Sequence, residues 1–436
     1  MKILKKAELN SYKFLFQWLL IALIAGLVGS ITIRVFLTFY DYCTEFLLSL
    51  NQVPVFVWPA AGAAITGLVI YRLEPRAKGE GLPSYIVGLR ESGGRLSVSE
   101  TFFKFFAAAF TLGTFGNGGY LGPAGRVSAG IMSAIRRVIP EKLIFAEHTI
   151  LFPICGLAAA FGSLVHSPIG AGIFAVEIVQ KSSMRYRQLF PAILASTVSV
   201  YFSKLLGFEA VFTINAAAEA FDLKLAGLLL LVSVGAGLIG RGFTTLYGVI
   251  SKLFHRDVKQ YSMGVALRAV IGSLLAFFIV YLVNPVMIGT SAGIFSALLN
   301  GGDSLIYGNM DHRIPIFLVI LLLILLKALA NSFTVGSGMS AGFAGPAMLI
   351  GLLTGAAFAA VFGIDAGSAE SFALLAAGFA GVFSSTMNTP IAVAVLTVEL
   401  FGLYYSMPAA VAAIIGFQVN RHHTLYDMVF EEEDEF

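Results

Sequence analysis

Apolar residues in this chain do not alternate with polar ones; they come in long, nearly unbroken runs. Positions 14–36, 53–71, 189–202, 225–239, 265–283, 314–329 and 349–362 are dominated by Leu, Ile, Val, Phe, Ala and Gly. Alternation would predict half-buried strands, whereas runs near the about 20 apolar residues that cross a bilayer predict membrane helices. The expected fold class is all-α, a polytopic helical bundle whose first partner is the lipid bilayer. Composition agrees: of 436 residues, 58% are hydrophobic and 12% charged, against about 25% charged in soluble domains.

Charge sets an expected topology. The opening MKILKKAELNSYK leads into an apolar run longer than the core of a signal peptide, with no small-residue cleavage site behind it. Residues 1–10 therefore read as a cytoplasmic segment ahead of the first span. Basic residues gather in YRLEPRAK, QKSSMRYRQ and SKLFHRDVKQ, so these loops are expected on the same, cytoplasmic side, with both termini. On this reading the net charge of +3 reflects topology, and no nucleic-acid partner is expected. Cys43 and Cys155 are too few for a metal cluster or a disulfide framework. No metal, cofactor or catalytic residue is expected, and the sequence holds no Ser/His/Asp set or nucleotide loop in a fitting context, so it does not read as an enzyme.

An internal repeat divides the chain. CGLAAAFGSLVHSPIGAGIFAVEI (155–178) and AGFAGVFSSTMNTPIAVAVLTVEL (377–400) share Gly156/Gly378, Ala158/Ala380, Phe161/Phe383, Ser163/Ser385, Pro168/Pro390 and Glu177/Glu399 without a gap. GNGGYLGPAG (116–125) is echoed by GSGMSAGFAGPAM (336–348), each with a G-x-G and then a G-P pair. Two membrane repeats follow, 11–210 and 211–430, with an acidic tail at 431–436 and no appended regulatory domain. Such halves mark transporter and channel folds in which broken helices meet near the bilayer midplane. Bare backbone survives at that depth only inside protein or along a hydrated cavity. A helix starting just after Pro123 or Pro346 aims its positive end at a ligand, which is therefore expected to be an anion.

These residues resemble the CLC family of chloride channels and chloride/proton antiporters. GEGLP (79–83) stands where that family has G-S-G-I-P, GYLGP (119–123) where it has G-(K/R)-E-G-P, SGMSAGFAGP (337–346) in the G-x-F-x-P region, and TLY (424–426) at the pore tyrosine. The resemblance runs from about residue 14 to 430. It implies a homodimer of inverted repeats of tilted and broken helices, in a bacterial or archaeal plasma membrane, moving chloride or another small anion. The implied anion pathway comprises Glu80, Gly81 and Leu82, then Gly119, Tyr120, Leu121 and Gly122, then Gly342, Phe343 and Ala344, and finally Tyr426.

The departures shape the functional expectation. Where the antiporters have a movable glutamate this chain has Leu121, and where they have a second proton-relay glutamate it has Ile178. Passive, channel-like conduction is expected. The family serine is replaced by Glu80, whose carboxyl can donate a hydrogen bond only when protonated, which makes it a candidate pH-sensitive gate. The alternatives are an antiporter that uses Glu80 for proton coupling, or a cation-conducting or non-transporting protein of the same fold.

Other readings stay open on sequence alone. Glu80 fits the pathway or a polar loop, and Tyr426 fits an anion ligand or an interfacial tyrosine. Glu177 and Glu399 fit caps on neighbouring helices or ion pairs near one face. Arg126 fits a pathway mouth or an acidic or lipid-headgroup partner, and His166 and Asn388 fit groups that satisfy backbone at a helix break. His422 and His423 read as a solvated loop. Because Leu121 and Ile178 bind no proton, an imposed chloride gradient is expected to drive no proton movement in liposomes. Leu121→Glu is expected to slow anion flux and make it pH-dependent, and unchanged flux would show that position 121 is not on the pathway.

Overall fold

With no water in the bilayer core, backbone N–H and C=O groups must pair within the chain, and helices do this locally. The computed structural model describes residues 2–427 and 429, apart from 51, 141–147, 180–185, 209, 211–213, 215–224, 256–263 and 301–302. Among the described residues there are helices and turns, one isolated bridge and no strand. The first half runs α1 (Lys2–Ser49), α2 (Val57–Arg72), α3 (Leu82–Glu91), α4 (Val98–Gly113), α5 (Leu121–Val138), α6 (Leu151–Val165), α7 (Pro168–Glu177) and α8 (Tyr186–Leu205). The second runs α9 (Ala226–His255), α10 (Gly264–Tyr281), α11 (Ala292–Asn300), α12 (Asp303–Tyr307), α13 (Ile316–Gly336), α14 (Ala344–Val361), α15 (Ala369–Met387), α16 (Pro390–Phe401) and α17 (Ser406–Val419). Six of the described helices are long and apolar enough to cross a membrane. Short ones such as α3, α7 and α16 are the interrupted helices that the repeat predicts.

The segment 1–10 continues α1 as helix from Lys2 onward. The acidic tail 431–436, the repeat boundary at 210/211 and much of QKSSMRYRQ and SKLFHRDVKQ lie outside the described residues.

The halves correspond element by element as an inverted repeat: α2 to α10, α3 to α11, α4 to α13, α5 to α14, α6 to α15 and α7 to α16. They meet at the two glycine-rich stretches. Gly119 N–H donates to Gly342 O and Gly342 N–H to Gly119 O, both at 2.9 Å. A Cβ on Gly342 would stand 2.8 Å from Gly119 O, so this backbone approach requires glycine. Beyond it, α5 begins at Leu121 and α14 at Ala344, two residues before the prolines rather than after them as expected. The first turn of a helix makes no use of its N–H groups within the helix, so proline fits inside it.

The acids Glu177 and Glu399 act as caps. Glu399 accepts from Ile169 N–H at 3.0 Å and Gly170 N–H at 2.8 Å, and from the Ser167 hydroxyl. Glu177 accepts from Ile391 N–H at 3.1 Å and Ala392 N–H at 2.7 Å. Each acid ends one short helix and caps the matching helix of the other half, with its charge at the positive end of that dipole. His166 and Asn388 close α6 and α15 by adopting left-handed backbone, φ 53° and 59°. Their own N–H groups bond back to Gly162 O and Ser384 O at 2.8 and 3.0 Å, so it is backbone rather than side chain that satisfies these breaks. Glu177→Gln and Glu399→Gln each leave one oxygen for two or more donors, and each is expected to cost about 1–3 kcal/mol. Thermal denaturation in detergent reads this as a lowered midpoint; variants melting with the parent would mean that the caps carry no stability.

Candidate functional site

Glu80 is placed by a turn. The segment ahead of it forms a short 3-10 helix at Pro75–Ala77, and Gly81, at φ +97°, reverses the chain into α3 with Pro83 in the first turn. Leu82, fully buried, opens that helix. Lys104, on α4 and fully buried, holds the turn from beneath, donating from Nζ to Ala77 O at 3.1 Å, Lys78 O at 2.8 Å and Gly79 O at 2.6 Å. Three carbonyls take three protons, so the amine is an ammonium.

Held this way, Glu80 points into the protein and is only 2% exposed, which removes the solvated-loop reading. Its Oε1 accepts from Phe343 N–H at 3.0 Å, and Ala344 N–H and the Tyr426 hydroxyl also face the carboxyl. The Tyr426 hydroxyl lies 3.0 Å from Met387 Sδ, and Glu80 Oε2 has no hydrogen-bond partner. A Cβ on Gly122 would land on the Glu80 carboxyl. Elements far apart in sequence thus converge on one carboxyl: the turn before α3, the first turns of α5 and α14, and Tyr426.

Two cavities approach this point. One, of about 540 Å3, is lined by Glu74, Arg76, Lys78, Arg95, Glu100 and Arg126 and reaches Glu80; the side chain of Arg76 is 73% exposed, so it opens at the surface. The other, of about 40 Å3, is lined by Gly118, Gly119, Tyr120, Leu121, Thr290 and Phe295, among others. Glu80 lines the larger cavity and Leu121 the smaller, and both side chains are buried. Tyr120 belongs to the smaller cavity, where its hydroxyl donates to Thr290 Oγ1 at 3.3 Å. Ile178 lines a third space, of about 10 Å3, with Tyr426, Met387 and Asn388.

The repeat relates these contacts. Tyr120 caps α5 as Phe343 caps α14, and Thr290 precedes α11 as Glu80 precedes α3. Glu80 therefore meets Phe343 where its counterpart Thr290 meets Tyr120, the first contact made by a carboxyl to backbone N–H and the second by a hydroxyl to a tyrosine hydroxyl.

Arg126 has an acidic partner inside the protein, not a headgroup. It is 1% exposed and lies 2.7 Å from Glu100 Oε2, with Nε on Ser84 Oγ at 2.9 Å and a terminal nitrogen on Thr101 Oγ1 at 3.1 Å. Ser84 donates in turn to Glu100 Oε1. This network fixes α3, α4 and α5 to one another beside Glu80. Sequence reading missed Glu100, Lys104, Thr290 and Lys327. The lysines were within reach of it, because each sits in an apolar run 19 residues before a G-P proline, Pro123 or Pro346. Among the described residues no cluster of His, Cys, Asp and Glu could hold a metal ion.

Interrupted helices from two inverted halves, meeting at buried glycine-rich turns that line two cavities, define a membrane transport protein. Residues 62–421 match the family described as voltage gated chloride channel, and the chain belongs to that CLC family. An uncharacterized protein of Methanocaldococcus jannaschii is 28% identical over 96% of this chain and 97% of its own length. A chloride/fluoride channel protein of Pseudomonas syringae pv. tomato is 24% identical over 98% of this chain and 89% of its own. The crystal structure of a CLC-type fluoride/proton antiporter superposes with a TM-score of 0.79 at 19% identity, covering 95% of this chain and 98% of the other. The chain is thus an integral membrane protein of a family that transports anions.

Removing one partner of a buried ion pair strands the other in an apolar medium. Arg126→Met is therefore expected to destabilise the protein by about 3 kcal/mol, and the double variant Arg126→Met with Glu100→Gln to recover most of that. Denaturation in detergent of both variants checks this; equal stability of the single and double variants would show that the pair is not coupled.

Proposed function

We propose that this protein conducts chloride or another small anion passively, and that Glu80 is its pH-sensitive gate. The observation that carries the reading is the Glu80 carboxyl on Phe343 N–H at the start of α14. That N–H, with the helix dipole behind it, is a donor for an anion, and an ionised carboxylate competes for it directly. Once protonated, the acid loses its charge and can instead donate to the anion, as a serine would at that position. Leu121, at the other cavity, and Ile178, beside Tyr426, bind no proton, which favours conduction over obligatory exchange.

The larger cavity is taken to face the cytoplasm, because the basic stretch YRLEPRAK contributes Glu74, Pro75, Arg76 and Lys78 to its lining and Lys/Arg-rich loops stay on that side. The setting is a bacterial or archaeal plasma membrane, with the chain as a homodimer. A second reading, proton-coupled antiport through Glu80, is favoured by the same contact, since a carboxyl that displaces an anion and takes up a proton could couple the two.

Purified protein in chloride-loaded liposomes separates these. With only a charge shunt added, chloride efflux is expected to rise as the pH on the Glu80 side falls, by up to about tenfold per pH unit, the limit for one titrating group. Glu80→Gln and Glu80→Ser are expected to give high flux with little pH response. Uphill proton movement under a chloride gradient would establish exchange instead. Variants that match the parent at every pH would remove Glu80 from the gate, and cation flux without anion flux would overturn the anion reading altogether.

A further inference from the structure

Lys327 lies in the middle of α13 and is fully buried. Its Nζ donates to Asn117 Oδ1 at 2.9 Å, Gly289 O at 2.7 Å and Ser291 Oγ at 2.7 Å. Ser291 spends its own proton on Met287 O, at 2.7 Å, so its oxygen must accept from the lysine. Three acceptors again take three protons, and the group is an ammonium. Through the repeat it is the counterpart of Lys104: each stands 19 residues before its proline, and each grips the turn ahead of a short helix, α3 or α11.

The two differ in one respect. Lys104 shares α4 with Glu100, one turn away, and grips the turn that carries Glu80, whereas all three hydrogen-bond partners of Lys327 are neutral. Among the described residues it is a lysine inside a membrane-length helix, donating to three neutral acceptors with no carboxylate among them. Such charges are expensive and as a rule face an ion path. Lys327 grips both neighbours of Thr290 and, through Asn117, the neighbour of Gly118, and both Thr290 and Gly118 line the cavity beside Leu121.

We infer that Lys327 is a positioning charge for the anion at the Leu121 end of the pathway: its positive field, one residue behind the cavity wall, offsets the cost of bringing a bare anion past Leu121. The inference rests on the proposed anion conduction. Its counter-charge is the permeating anion itself, where Lys104 has Glu80 and Glu100.

Asn117→Asp tests this with little change of shape. The Oδ1 contact to Lys327 remains, the Nδ2 it replaces has no hydrogen-bond partner, and the new carboxylate cancels the charge. Chloride efflux is measured in the same liposomes, on variants shown by size-exclusion chromatography and thermal denaturation to be folded. Asn117→Asp is expected to lower flux and raise the half-saturating chloride concentration, each by about tenfold or more, with a thermal midpoint at or above the parent's. Asn117→Ser breaks the same hydrogen bond but leaves the charge, and must lose less. Parental flux and half-saturation in Asn117→Asp, or equal losses in the two variants, would mean that Lys327 only braces the turns, and the inference is overturned while anion conduction stands. A parent without anion flux sinks the proposed function, and this inference with it.

Discussion

The structure depends on one constraint: a helix interrupted inside a membrane leaves N–H groups that no water can satisfy. At three such ends the chain answers with a carboxyl from a distant segment. Glu399 serves α7, Glu177 serves α16, and Glu80 serves the start of α14. The first two are related by the repeat and each is held by at least two N–H groups. The third has one hydrogen bond and one bare oxygen, and its repeat counterpart Thr290 carries no charge. The same interaction thus appears twice as a well-satisfied cap and once as a poorly satisfied one. The poorly satisfied one lines the larger cavity.

Buried cations complete this arrangement. Lys104 and Lys327 bond the irregular turns from beneath, taking up carbonyls that no helix uses, and Arg126 ties together the three helices around the Glu80 turn through Ser84, Thr101 and Glu100. Each pairs backbone or side-chain oxygens that would otherwise be orphaned in an apolar interior.

Much of this was legible in the sequence because it is carried by short-range patterns. The long apolar runs gave the helical class, the matched Pro168/Pro390 and Glu177/Glu399 gave the repeat, and the glycine pairs gave the crossing point. The start of α5 and α14 was misjudged by two residues, since proline was read as opening the helix when it sits inside the first turn. For Arg126 the sequence left a pathway mouth and an acidic or lipid-headgroup partner open, because Glu100 lies on another helix, and a pairing between helices leaves no trace in local pattern. The contact between Glu80 and Phe343 joins residues 263 positions apart. Motif resemblance brought both to the pathway, but only the fold shows that one touches the other.

The reciprocal contacts between the halves also bear on how anything could move here. The glycine bridge and the two crossed carboxylate caps staple one half to the other at three places, and rocking the halves apart would break all of them together with nothing in the bilayer to replace the lost bonds. An opening made by individual side chains turning about their own torsions leaves the staples intact. Side-chain rotations of that kind belong to nanoseconds, while the rocking of domains belongs to microseconds and longer. The architecture is thus a stiff frame, and on the proposed reading of Glu80 as the gate its slowest step is how long one carboxyl keeps its proton, not how long two halves take to swing.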